Sequence, residues 1–128
     1  MPANITIIRA HEFIKATPEG QLNLEESKKL LLEIAAASAP FADYGIILDT
    51  RKAQSRMSVG DLWFLAAELS KNLSNLSSRR AQKTAVLCPP EEFDHAAFFA
   101  LCANNRGFNV SAFTSFEDAY EWLIANGT

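Results

Sequence analysis

"GIILDTRKAQSRMSVGDLW", residues 45–63, changes character twice. Tyr44–Leu48 is a short apolar run with two isoleucines, which suits a strand buried in a parallel sheet. Asp49-Thr50-Arg51 closes the run, and a polar loop follows. Ser58 stands three residues before Asp61, the spacing of a capping box, in which each side chain accepts from the other residue's backbone N–H. Val59, Leu62, Trp63, Ala66, Leu69, Leu73 and Leu76 then recur at steps of three and four, which is one face of a helix. A strand, a loop and a capped helix in that order form the building unit of an α/β fold.

The unit repeats on the C-terminal side. Asn75–Lys83 is polar and basic and reads as a loop, and Thr84–Cys88 reads as a strand closed by Pro89-Pro90. Glu91 and Glu92 suit the positive end of a helix dipole. Phe93 to Ala103 is apolar almost all round and predicts a helix buried on more than one side, with Gly107 as its C′ residue. Phe108–Phe113 predicts the last strand. Ser115 with Asp118 caps a last helix, whose stripe is Phe116, Ala119, Tyr120, Leu123 and Ile124 and which ends before Gly127.

On the N-terminal side, Asn4–Arg9 has the β-branched content of a strand. His11–Ala16 either continues it or returns as the second arm of a hairpin, so residues 4–16 are one strand or two. Thr17-Pro18-Glu19-Gly20 reads as a turn or the end of that strand. Asn23, with Glu26 three residues on, caps a Leu- and Ala-rich helix from Leu24 to Ala39, stopped by Pro40. The expectation is one α/β domain over residues 1–128. It has a mixed, mostly parallel sheet of four to five strands, about four helices and one early antiparallel strand at an edge.

Composition fits that reading. Of 128 residues, 48% are apolar and 21% charged, near the average for globular chains, and nine Phe supply bulk for a core. Two cysteines, Cys88 and Cys102, make neither a disulfide framework nor a metal signature. No basic segment followed by an apolar run opens the chain, and no apolar run is long enough to span a bilayer. A soluble cytoplasmic protein without stable membrane insertion is expected. The Asn-x-Ser/Thr tripeptides at Asn4, Asn72, Asn75 and Asn109 then carry no signal. The net charge of −3 argues against nucleic acid as a partner. Its distribution is uneven: residues 51–83 carry a balance of +5 and residues 84–128 one of −5. That is either an ordinary solvated surface or a polarised one that steers a charged partner.

These elements together resemble the STAS domains, among them the bacterial anti-sigma-factor antagonists of the SpoIIAA type. They resemble more closely the SpoIIAA-like proteins described as STAS/SEC14-like. Gly20-Gln21-Leu22-Asn23 is similar to the Gly-x-Leu-Asp before the first helix, and Ile46-Ile47-Leu48-Asp49 to the central strand ending in Asp. "DTRKA" resembles the Asp-x-Arg of the SpoIIAA-like branch, and "GFNVSAFTSFEDAYEWL", residues 107–123, the closing strand and helix. The resemblance implies a non-enzymatic regulatory or protein-interaction module, with a kinase or an anti-sigma-like regulator as partner. The antagonists carry Asp-Ser-Ser-Gly at the start of the second helix, and its first Ser accepts phosphate. The matching stretch here is Met57-Ser58-Val59-Gly60, which keeps Ser58 and Gly60 and replaces the Asp and the second Ser. The SpoIIAA-like branch commonly carries an Arg near the position of Ala97 or Phe98, and this chain does not.

The candidate site is accordingly the loop 49–61. Ser58 is a helix cap and a candidate phospho-acceptor. Asp49, Thr50, Arg51 and Arg56 form the interaction loop, and Gly60 allows close approach of a partner. Asp49 and Arg51 are either a structural pair or part of an anion site at the carboxyl edge of the sheet. Trp63, Phe64, Phe98 and Phe99 are candidates for a face that binds a second copy of the chain or for the wall of a small hydrophobic or lipid-like ligand site. Cys88 and His95 lack a group to orient them as nucleophile and base, and no catalytic residue is assigned. His11, His95, Asp94, Glu91 and Glu92 lack metal-ligand spacing, and no metal or cofactor is expected.

Overall fold

The computed structural model describes residues 3–8, 12–41, 43–73 and 83–125. Strands β1 (Ala3–Ile8) and β2 (Phe13–Pro18) are the two arms of an antiparallel hairpin, with Ile5 opposite Ala16 and Ile7 opposite Ile14. Strand β3 (Gly20–Leu22) follows, and helix α1 covers Leu24–Ser38. Asn23 Oδ1 caps α1 by accepting from the Glu26 N–H at 2.8 Å. Pro40 falls in the 3-10 turn Ala39–Phe41 that closes the helix. Strands β4 (Gly45–Asp49) and β5 (Ala53–Ser55) lead to helix α2 (Val59–Leu73). Strand β6 (Lys83–Leu87), helix α3 (Phe93–Asn104), strand β7 (Asn109–Phe113) and helix α4 (Phe116–Ile124) complete the order. The expected stretch 75–82, with Leu76, lies outside the described residues, as do His11 and Gly127.

The main sheet has the order β1-β2-β4-β6-β7 and is parallel except for the β1–β2 pair. Helices α1, α2 and α3 lie side by side on one face, over Ala16, Ile46, Leu48, Val86 and Val110. Helix α4 lies on the other, over Phe13, Ile47, Ala85 and Leu87. Alternation along β4 explains the division, since successive strand residues point to opposite faces.

Local chemistry closes helices α3 and α4. Gly107 takes φ 95°, where a side chain would be strained. Its N–H donates to Asn104 O (3.0 Å) and the Phe108 N–H to Ala103 O (3.1 Å), which closes α3 in a Schellman motif. Lys83 Nζ donates to Trp122 O (2.9 Å) and Ala125 O (2.6 Å), placing a cation on the last carbonyls of α4.

Three features depart from the sequence reading. The polar loop after Asp49 contains β5, which pairs in parallel with β3 as a small second sheet (Gly20 with Ala53, Leu22 with Ser55). Leu62, Leu65 and Ala66 of α2 are buried, but Val59 and Trp63 are exposed, so the helix is turned relative to the expected stripe. Residues 62–66 are apolar on more than half the circumference, so spacing admits several faces and the sheet selects one. In α3, Phe99, Ala100, Cys102 and Ala103 are buried, while Phe93 and Leu101 are exposed, because only one side of the helix meets the sheet.

Candidate functional site

The carboxyl ends of β4, β6 and β7 bring Asp49-Thr50-Arg51, Cys88-Pro89 and Thr114-Ser115 to one edge of the sheet. The sheet then separates sequence neighbours. Asp49 alternates with Ile47 and belongs to the α4 face, while Thr50 belongs to the face under α1, α2 and α3.

On the α4 face, Asp49 is 4% exposed and held from several directions. The Arg51 N–H donates to Oδ1 at 3.1 Å, Nε to Oδ1 at 3.0 Å and Nη2 to Oδ2 at 2.9 Å. Lys15 Nζ lies 3.8 Å from Oδ2 and 5.8 Å from the centre of the Phe116 ring. Burial alone raises the Asp49 pKa. The side-chain and backbone hydrogen bonds of Arg51, with the charges of Arg51 and Lys15, outweigh it and hold the carboxyl below its ordinary value. Asp49 is thus an ionised anchor for Arg51, whose side chain is 45% exposed. Thr50 faces inward: its N–H (2.8 Å) and hydroxyl (3.1 Å) both donate to Leu87 O, tying β4 to β6 beyond the last paired residue.

Ser58 is exposed at the start of α2. Its Oγ accepts from the Asp61 N–H at 3.1 Å, and its own N–H donates to Asp61 Oδ2 at 3.1 Å, so the capping box is reciprocal. Arg56 is exposed two residues earlier, with its N–H on Leu22 O at 2.8 Å. Gly60 is exposed, and a Cβ there would meet nothing nearer than Ser58 Oγ at 3.8 Å.

The outer surface of α2 carries the exposed Val59, Trp63 and Phe64. Arg106, beyond the end of α3, lies 5.2 Å from the Trp63 ring centre, and Lys28 of α1 lies 4.9 Å from that of Phe64. Two of the large rings on this face are therefore flanked by cations.

Beneath β3 and β5 lies a cavity of about 80 Å³. Leu48, Thr50, Val86 and Cys88 of the sheet edge form one wall, Leu62 and Leu65 of α2 another, and Ala96 and Phe99 of α3 a third. Ala53, Ser55 and Met57 line it from the loop, and Glu92 and His95 stand at its polar side. Ser27 of α1 also lines it, 4% exposed, and its Oγ has no hydrogen-bond partner among the described residues. A buried hydroxyl so placed costs about 1–3 kcal/mol. The usual helical recourse, a bond from the hydroxyl to a carbonyl one turn back, is not made.

Of the aromatic candidates, Phe99 lines this cavity. Phe98 is half-buried against the same core, and Trp63 and Phe64 sit on the outside of α2. Cys88 and His95 border the same cavity, but Cys88 Sγ lies 3.6 Å from Phe113 O, to which it donates. Burial first, then the charges of Glu92 and Glu91, push the Cys88 thiol up to about 11, which keeps it protonated at neutral pH. Among the described residues no three His, Cys, Asp or Glu gather to hold a metal ion, and no helix is long and apolar enough to cross a membrane.

Lys15 and Ser27 did not stand out in the sequence. Ser27 could have been found, because Ser27, Leu30, Ile34 and Ser38 follow one another at steps of three, four and four and share the buried face of α1. Lys15 acquires its place only when β2 aligns beside β4.

No protein-family model and no curated protein matches this sequence. Among solved structures, the chain is similar to an uncharacterised DUF3478-family protein with a SpoIIAA-like fold from Shewanella loihica PV-4. The likeness has a TM-score of 0.59 at 15% identity and covers 95% of this chain and 92% of the other. With its five-stranded mixed sheet, three helices on one face and one on the other, the chain has a SpoIIAA-like α/β fold, as the resemblance in its sequence implies.

Proposed function

We propose that this chain is a non-enzymatic STAS-like regulatory module. It meets an acidic protein partner through the loop 49–61 and the outer face of α2, and Ser58 is its point of control. The observation that carries the reading is the exposure of Val59, Trp63 and Phe64, at 54%, 51% and 41%, beside the exposed Ser58. Large apolar side chains grouped at a surface mark interaction sites. Cations border them: Lys52 and Arg56 are exposed in the preceding loop, and Lys28, paired with Glu25 at 3.7 Å, and Arg106 flank the rings. That arrangement suits an acidic partner.

Control at Ser58 has a physical basis in the capping box. A phosphate on Oγ adds about two negative charges, facing the Asp61 carboxylate that accepts from the Ser58 N–H. Repulsion then opens the reciprocal cap, while the helix N-terminus still favours the phosphate. The surface that a partner reads thus changes in charge and shape at its edge.

A second reading, a carrier or sensor of a small apolar ligand, is favoured by the cavity under β3 and β5. Intact mass, denaturing and native, of protein isolated from its own cells separates the two. A phosphate-sized addition that disappears in Ser58→Ala supports control at Ser58 and directs the search to a kinase. An unmodified chain with small extra mass only in the native spectrum favours the carrier. A doubled native mass would favour a second copy of the chain as the partner.

A further inference from the structure

We infer that the cavity beneath β3 and β5 is a binding site for a short, uncharged aliphatic molecule with one hydrogen-bonding group, a hydroxyl or carbonyl seated on Ser27 Oγ. The inference deepens the carrier reading and rests on it.

Two independent observations meet here. The first is a cavity at the carboxyl end of a parallel sheet, where α/β folds gather ligands, walled mainly by Leu, Ala, Val and Phe side chains. The second is Ser27, which lines that cavity, is 4% exposed and has an Oγ without a partner among the described residues. Buried hydroxyls are ordinarily paired, and this one can both donate and accept. A ligand oxygen beside it would give this hydroxyl the partner it lacks.

Size and charge narrow the class. A volume of about 80 Å³ is about half that of the ~150 Å³ cavity known to hold benzene. The cavity therefore takes on the order of three or four carbons. The half-buried Glu92, whose Oε2 accepts from the Ser55 N–H at 3.4 Å, opposes an anionic head group. A buried cation would face apolar walls. Ser55 and Met57 line the cavity directly before Ser58, so an occupant bears on the loop proposed to meet the partner.

The test uses the full chain and two probes, 1-butanol and its hydroxyl-free counterpart 1-chlorobutane. Each is titrated while the amide resonances of Ser27, Ala53 and Ala96 are followed by NMR. Butanol is expected to shift these resonances and to bind at least fivefold more tightly than chlorobutane. Ser27→Ala is expected to remove that preference without lowering the melting temperature of the unliganded protein. Ala96→Leu, which narrows the cavity, is expected to weaken both probes. Equal affinity for the two probes would overturn the role of Ser27 and leave the carrier reading standing. Shifts that survive Ala96→Leu unchanged, or no shifts with either probe, would overturn the cavity as this site. The carrier reading is tested separately by native mass.

Discussion

Arg51 closes on Asp49 through its backbone and its side chain at once, with three contacts of 2.9 to 3.1 Å on a carboxylate that solvent scarcely reaches. The bidentate fork fixes the turn by which the chain leaves the sheet. It also leaves half of Arg51 facing solvent at the start of the proposed contact loop.

Asp49→Asn is therefore expected to lower stability at neutral pH by about 1–3 kcal/mol, toward the lower end because Arg51 is half exposed. The pH dependence has a definite sign. Asp49's folded-state pKa is depressed, so its contribution is complete above the unfolded value of about 3.9 and is lost as pH falls through the folded value. Urea denaturation of both proteins from pH 7 to pH 3 should show a constant gap down to about pH 4 that then narrows. A gap that widens in acid would contradict the assignment.

Ser58→Ala removes the acceptor for the Asp61 N–H and should cost about 1 kcal/mol. Ser58→Asp keeps an acceptor at the cap and should stay closer to the wild type, reduced by its proximity to Asp61. Chemical denaturation compares the two. A Ser58→Ala protein as stable as the wild type would mean that the capping bond contributes nothing measurable.

Gly45 has no Cβ because Leu123 of α4 occupies the space: a Cβ there would lie 2.8 Å from Leu123 Cδ2. Gly45→Ala is expected to destabilise by about 1 kcal/mol, at the low end for overpacking, because the contact is the tip of the half-buried Leu123 side chain, which can shift. In a Leu123→Ala background the same change should cost markedly less, a coupling that a double-mutant cycle reads directly. Additive effects would place the strain elsewhere.

Asn104 serves β7 as a substitute strand. Its Nδ2 donates to Val110 O and its Oδ1 accepts from the Val110 N–H, both at 2.9 Å, on the open edge of the sheet. Asn104→Ala should cost about 1–2 kcal/mol and speed hydrogen exchange at the Val110 amide, because water then reaches an unpaired edge. An exchange rate equal to that of the wild type would show that the amide is protected by something else.

Most of the architecture could be read along the chain because it is set by neighbours. The caps at Asn23, Ser58 and Ser115 each need a partner only three residues away. The Schellman end at Gly107 needs one residue free to take positive φ, and the strands announce themselves as short apolar runs between turn residues. Pairing of β3 with β5 was not legible, because each is three residues long and the two meet only across some thirty residues of chain. Nor was the turn of α2, where Val59 and Trp63 fit the periodic stripe yet face outward while Leu65 faces in. The cavity and the unpaired Ser27 hydroxyl belong to the same class, since a gap exists only where elements fail to fill the space between them. Local hydrogen bonding and periodicity are properties of a segment and survive in the sequence. Choice of face, register of distant strands and the shape of empty space are properties of packing, and they came into being only when the helices settled on the sheet.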